Sequence, residues 1–238
     1  MAGVSRLQYS PEIRLVRVMC TGRVDPAFIF QAFSNGADGV YVGGCHPGEC
    51  HYVTEGNYHA LGMSLLCKRI MKYIGINPDR LRLEWVGASE GIQFAEAMNE
   101  VSGKIKEMGS LGAGEGIDEK ALKVRLDTVV NLLPYIKLVE RERLRVPFNT
   151  VEEYNQFFAS DDVDLVFREM IVDKLEMNSI LFLLKDGPLS CDEISERLGL
   201  SLSDVVKYTN RSERQGFLML DENKKFTLPP RIRRQARV

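Results

Sequence analysis

Three of the five cysteines, Cys20, Cys45 and Cys50, fall in one early stretch of the 238-residue sequence. Cys20 closes the apolar run 14–19, and Cys45 and Cys50 bracket the short loop His46-Pro-Gly-Glu49 just past a second apolar run, 40–42. Thiols delivered to loop entrances are metal or cluster ligands before they are anything else. Four residues separate Cys45 from Cys50, as in the first pair of plant-type 2Fe-2S ligand runs, and Pro47 and Gly48 let such a loop turn tightly. The next cysteine of that run is missing here. The competing reading, small buried hydrophobes, suits a loop of Gly, His, Pro and Glu poorly.

The other candidate ligands separate by position. His46, His51 and His59 all lie in or just after the cysteine loop, but not at the paired spacing of a Rieske centre. Hydrogen bonds to cluster sulfurs or to the loop backbone are their expected role. Cys67 shares a helical stripe with Met63, Ile70 and Ile74 and lies about 15 Å along its helix, so core packing is expected. Cys191 opens a later helix at the surface.

The elements that position the thiols alternate in period. Residues 13–19, 39–42 and 81–86 are short, apolar and bounded by glycine, as buried strands are. Between and after them lie helical patterns at 26–33, capped by Asp25, at 58–74, stopped by Gly75, and at 90–108. This order predicts an α/β fold with a small parallel sheet and flanking helices. In such sheets binding sites gather outside the carboxyl ends of the strands, where Cys20, Cys45 and the turn 87–90 all fall.

Four glycines between 109 and 116 read as a flexible linker and domain boundary. Beyond it the pattern is mostly helical: 121–133 up to Pro134, a capping box at Thr150-Val-Glu-Glu153, and 164–184 as one long helix or two. A second capping box, Ser190-Cys-Asp-Glu193, then Gly199, Ser201 and an apolar hairpin at 217–228 predict a winged helix-turn-helix ending. The expected division is an α/β domain at 1–108, a linker at 109–117, a helical connector at 118–175, a winged-helix-like domain at 176–228 and a basic, mobile tail at 229–238.

Composition excludes several classes. A hydrophobic fraction of 45%, a charged fraction of 27% and a net charge of -2 are those of a globular protein without global attraction to nucleic acid. No apolar run approaches the roughly 20 residues of a membrane span, and no signal peptide is evident, so a cytoplasmic setting is expected. No nucleophile–base pair, phosphate-cradling loop or dinucleotide fingerprint is present.

Several stretches recur together in one known family. Arg17-Val-Met-Cys-Thr-Gly-Arg-Val-Asp-Pro26, Gly44-Cys-His-Pro-Gly-Glu-Cys-His-Tyr52, Gly56-Asn-Tyr58, Arg80-Leu-Arg-Leu-Glu-Trp85 and Ala88-Ser-Glu-Gly91 resemble the delta subunit of methyl-viologen-reducing hydrogenase. The resemblance covers residues 3–108. It implies a 2Fe-2S cluster with Cys20, Cys45 and Cys50 as ligands. It also implies a non-catalytic role, relaying electrons from hydrogenase or formate dehydrogenase subunits to the flavin subunit of heterodisulfide reductase. Family members usually begin earlier, with a further strand and cysteine-rich segment. A fourth ligand is therefore expected from Cys67, a histidine, such a segment or a partner chain. The second reading is a redox-sensing regulator that binds DNA through its winged helix. The third helix carries Lys207, Arg211 and Arg214 against Asp204 and Glu213, so nucleic acid is not the expected partner.

Overall fold

The structure is a computed structural model that describes residues 7–53 and 55–235. Its first part is a βαβ unit with helices around it. Asp25 caps α1 (Pro26–Ser34) by accepting the Ala27 N–H at 2.7 Å, and Pro26 supplies the preset first-turn φ. β1 (Val40–Gly44) leads to α2 (Asn57–Tyr73), then β2 (Leu81–Trp85) and α3 (Gly91–Met108). The strands pair in parallel, Val40 opposite Leu81 and Gly44 opposite Trp85. The apolar stripe of α2 is buried as its spacing requires, with Met63, Cys67 and Ile70 inside the core.

The third expected strand is absent. Residues 13–19 are extended but pair with nothing, and the sheet has two strands among the described residues. Leu15, Val16 and Met19 are exposed, Met19 at 92%. An apolar β-branched run reports a need for burial and not where burial is found, so periodicity alone reads it as a buried strand.

Residues 109–117, expected as a linker, are folded around one side chain. Arg80, 1% exposed, donates its Nε to Glu115 Oε1 at 2.5 Å and its terminal nitrogens to the carbonyls of Asp38 and Gly109 at 2.9 Å and of Met108 and Ser110 at 3.4 Å. Burial pushes the Glu115 carboxyl up, but Arg80 and the Gly112 and Asn77 amides outweigh this and hold it below the usual carboxylate range. Core residues lie on both sides of the segment in one continuous cluster, from Val24 to Leu175.

That cluster includes the next helices. α4 (Glu119–Val139) packs on α1 and continues past Pro134, which does not end it, before a π-helical turn at Glu140–Leu144. α5 (Val151–Phe158) buries Tyr154 and Phe158 behind its Thr150 cap. α6 (Asp161–Val166) passes through a second π-helical turn, Phe167–Val172, into α7 (Asp173–Leu183).

A second, smaller core gathers Met177, Ile180 and Leu184 with Ile194 of α8 (Cys191–Leu198), Val205 and Tyr208 of α9 (Leu202–Arg214), and Leu218, Phe226 and Leu228. The Ser190–Glu193 capping box is formed, and Gly199 closes α8 in the left-handed region. β3 (Met219–Leu220) and β4 (Phe226–Thr227) make an antiparallel hairpin. Of the expected basic tail, α10 (Pro230–Gln235) is helical, and residues 236–238 lie outside the described residues. No helix among the described residues is long and apolar enough to cross a membrane.

Two expected outcomes follow from the buried charges. Arg80→Met leaves Glu115 buried without its partner, and urea unfolding should show a loss of about 3–5 kcal/mol. Glu176 of α7 is buried, which raises its carboxyl pKa against the Tyr73 hydroxyl that donates to it. A carboxyl whose folded pKa lies above its unfolded one contributes stability fully at pH below the unfolded value and loses it as pH rises through the folded value. Glu176→Gln keeps an acceptor for Tyr73 and should melt higher than the parent at pH 7, the gap closing as pH falls through the carboxylate range.

Candidate thiol-lined site at the strand ends

Cys45 directly follows Gly44, the last residue of β1, so the strand itself delivers it to the carboxyl edge of the sheet. Cys20 precedes a single 3-10 turn, Thr21–Arg23, closed by the Arg23 and Val24 N–H groups donating to the Cys20 and Thr21 carbonyls at 3.0 and 2.9 Å. This turn lies hard against the backbone before α2. A Cβ on Gly22 would come within 2.1 Å of the Glu55 carbonyl oxygen. A Cβ on Gly56 would come within 2.1 Å of Cys50 Sγ, so two glycines leave the room in which Cys50 is seated.

The three expected cysteines are thereby brought together. The Thr21 side chain lies against Gly44, Gly56 abuts Cys50 Sγ, and Asn57 binds the Cys45 carbonyl, so the three cysteine-bearing segments share one edge, and the neighbouring Cys45 and Cys20 thiols act on the titration of Cys50. Burial pushes the Cys50 thiol up, yet the Asn57 and Tyr52 backbone N–H groups and the two thiols outweigh that and lower it. Burial and the neighbouring Cys50 thiol push Cys45 up to about 11.

The loop between Cys45 and Cys50 is held by residues that sequence reading passed over. Asn57, fully buried at the start of α2, donates its Nδ2 to the Cys45 and His46 carbonyls at 3.0 and 2.9 Å. Its place in the Gly56-Asn-Tyr58 stretch, with Asn at a helix start, was the available signal. His46 Nε2 meets Glu90 Oε2 at 2.7 Å, and Glu90 also accepts the Gly87 N–H, so the turn after β2 is tied to the cysteine loop. The Gly87 amide, His46 and its charge hold the Glu90 carboxyl below the usual range.

The remaining candidates take other places. His59 turns its Nδ1 to the Gly22 carbonyl at 3.1 Å, and because a carbonyl only accepts, this nitrogen carries the proton. His51 stacks edge-on against Tyr52. Cys67 is fully buried on α2, 3.6 Å from Met63 Sδ, where burial raises its pKa strongly. Cys191 is half-buried against the second core.

What this arrangement suits can be judged from its donors. The backbone amides of Tyr52 and Asn57 beside Cys50 favour its thiolate, the form in which a cysteine binds a metal. The Thr21 hydroxyl is buried without a partner, beside Gly44 and one residue from Cys20, so an acceptor at the thiols would satisfy it. Among the described residues, no three His, Cys, Asp or Glu side chains are arranged to hold a single metal ion. A cluster, whose ligands are shared between irons, does not require its thiolates to face one point.

A βαβ unit with three thiols gathered at its carboxyl edge defines a small cysteine-centred α/β protein. Residues 1–109 match the family described as methyl-viologen-reducing hydrogenase, delta subunit. Among curated relatives, an iron-sulfur subunit of the F420-non-reducing hydrogenase of Archaeoglobus profundus is 52% identical over 109 residues, 46% of this chain and 79% of the relative. The vhc iron-sulfur subunit of an F420-non-reducing hydrogenase of Methanococcus voltae is 51% identical over 108 residues, 45% of this chain and 74% of the relative. A longer protein, one of the subunits of the ferredoxin/F(420)H(2)-dependent CoB-CoM heterodisulfide reductase of Methanosarcina acetivorans, is 42% identical over 113 residues, 48% of this chain and 14% of the relative. The chain belongs to the family of methyl-viologen-reducing hydrogenase delta subunits.

Asn57→Ala leaves two partly buried loop carbonyls without their donor. Chemical unfolding should show a loss of about 1–3 kcal/mol, accompanied by faster alkylation of Cys45 and Cys50.

Proposed function

We propose that this chain is an electron-transfer subunit that carries a 2Fe-2S cluster on Cys20, Cys45 and Cys50. In this reading it passes electrons from hydrogenase or formate dehydrogenase subunits to a heterodisulfide reductase-type flavin subunit, in the cytoplasm. The observation that carries the reading is the placement of three cysteines from two separate loops at the carboxyl edge of the sheet: Cys45 at the end of β1, Cys20 before the turn whose Thr21 lies against Gly44, and Cys50 seated against Gly56. Two family facts support it: relatives are named iron-sulfur subunits of hydrogenases, and one matching segment belongs to a heterodisulfide reductase. The bound cluster would supply one-electron chemistry. This chain's residues do the rest.

Asn57 and Glu90 fix the loop, Thr21 offers a hydroxyl to a sulfur acceptor, and Gly56 leaves space for the Cys50 ligand. Cys67 stays in the core, so the fourth ligand is assigned to His46, His51 or a partner chain. The exposed Leu15, Val16 and Met19 lead directly into Cys20, and Tyr52 and Val53 follow Cys50. Apolar side chains beside a redox centre suit docking of the protein that delivers or takes the electron.

Residues 1–108 are in this reading the electron-carrying part and 118–175 a connector. The ending, 176–228, is taken as a winged-helix-like docking module. The alternative, a DNA-binding regulator, is disfavoured by internal neutralisation: Lys207 Nζ and Arg211 Nη1 already pair with Asp173 at 3.4 and 3.0 Å.

Iron and acid-labile sulfide on anaerobically purified chain should give about two of each, with an EPR signal after reduction. Cys20→Ser, Cys45→Ser and Cys50→Ser should each abolish the signal while Cys67→Ala keeps it. Full iron content in Cys50→Ser would overturn the assignment.

A further inference from the structure

The family match ends at residue 109, yet the turn that bears Cys20 is held from both sides by residues beyond it. On one side, Lys137 Nζ of α4 meets Asp25 Oδ2 at 2.7 Å, while Asp25 Oδ1 caps α1. On the other, His59 donates to the Gly22 carbonyl, and its Nε2 faces Glu140 Oε1 at 3.1 Å and Arg145 Nη2 at 2.9 Å. Arg145 in turn donates to both Glu140 oxygens, at 3.4 and 3.2 Å. Glu140 is buried in the π-helical turn after α4, so its carboxylate stays in place.

The chemistry of each bond points the same way. The Nε2 of His59 is held between the Glu140 carboxylate and the Arg145 guanidinium while its Nδ1 donates to the Gly22 carbonyl, so the orientation of the ring that grips Gly22 is set by residues outside the matched region. Within the matched region, the described side-chain bonds of Asp25 and His59 are only those to the Ala27 N–H and the Gly22 carbonyl.

We propose that Lys137 and Glu140 are positioning residues for the Cys20 turn, acting through Asp25 and His59, so that the helical half sets how Cys20 meets the other two thiols. This rests on the reading of the three cysteines as cluster ligands. The helical half is then part of the redox centre's scaffold and not a separate attachment, and a partner that shifts α4 changes the centre without touching it.

The test uses the full chain carrying Lys137→Met, Glu140→Gln or both, with Lys123→Met, another exposed lysine of α4, as control and Lys137→Arg as rescue. Midpoint potential by EPR-monitored titration and the rate of iron loss to a chelator should both change for the first two, iron loss several-fold. Lys123→Met and Lys137→Arg should follow the parent in potential, iron loss and melting. A parent that binds iron, with potential and loss rate unmoved in the double variant, overturns the proposal and leaves the cluster reading standing. A parent that binds no iron overturns the cluster reading. Cys20 alkylation in the metal-free chain then decides the positioning claim: several-fold faster in the double variant supports it, and an unchanged rate overturns it.

Discussion

The buried guanidinium of Arg80 is the constraint from which the rest of the α/β half follows. It stands just before β2 and reaches the carbonyl of Asp38 just before β1, the end of α3 at Met108 and Gly109, and the carboxylate of Glu115. A charge this deep is tolerable only when every N–H has an acceptor, and here the acceptors come from separate places in the chain. Both strands, α3 and the glycine segment are therefore pinned at one edge of the sheet. The opposite edge is left to the cysteines.

At that edge the thiols are placed by backbone contacts more than by their own side chains. Asn57 binds the Cys45 and His46 carbonyls, Glu90 bridges His46 and the turn after β2, and His59 binds Gly22. None of these three need touch a metal to matter. A loop whose carbonyls are already bound cannot swing its cysteine away, which is the preorganisation that a redox centre requires if the electron is to move without large rearrangement. Of the histidines, expected to bond cluster sulfurs or the loop backbone, His59 binds a backbone carbonyl, that of Gly22, while His46 binds the Glu90 carboxylate and His51 packs on Tyr52.

The helical half shares the first core from α4 to the start of α7, so the two halves are mechanically one body around the cysteine edge. The smaller second core is separate in its residues and joined through α7. Lys207 and Arg211 of its α9, though exposed, both pair with Asp173, which neutralises part of the charge of that helix. Exposed apolar side chains concentrate instead on the segment before Cys20 and on the hairpin, at Phe217, Met219 and Leu220.

What the sequence determined by itself is whatever rests on contacts within a few residues. The Asp25, Thr150 and Ser190 caps, the stop at Gly75 and the buried stripe of α2 follow from local hydrogen bonds and periodicity, and the parallel pairing of β1 with β2 from the strand–helix–strand order. The strand end that carries Cys45 to the sheet edge was legible for the same reason. Only the tertiary structure decided that residues 13–19 pair with no strand, that the glycine segment wraps Arg80, that α4 runs through Pro134, and that Asn57, Glu90 and Glu140 hold the site. The long-range contacts that hold the site join groups from 11 to 112 positions apart, and no local pattern records which distant partner a donor will meet.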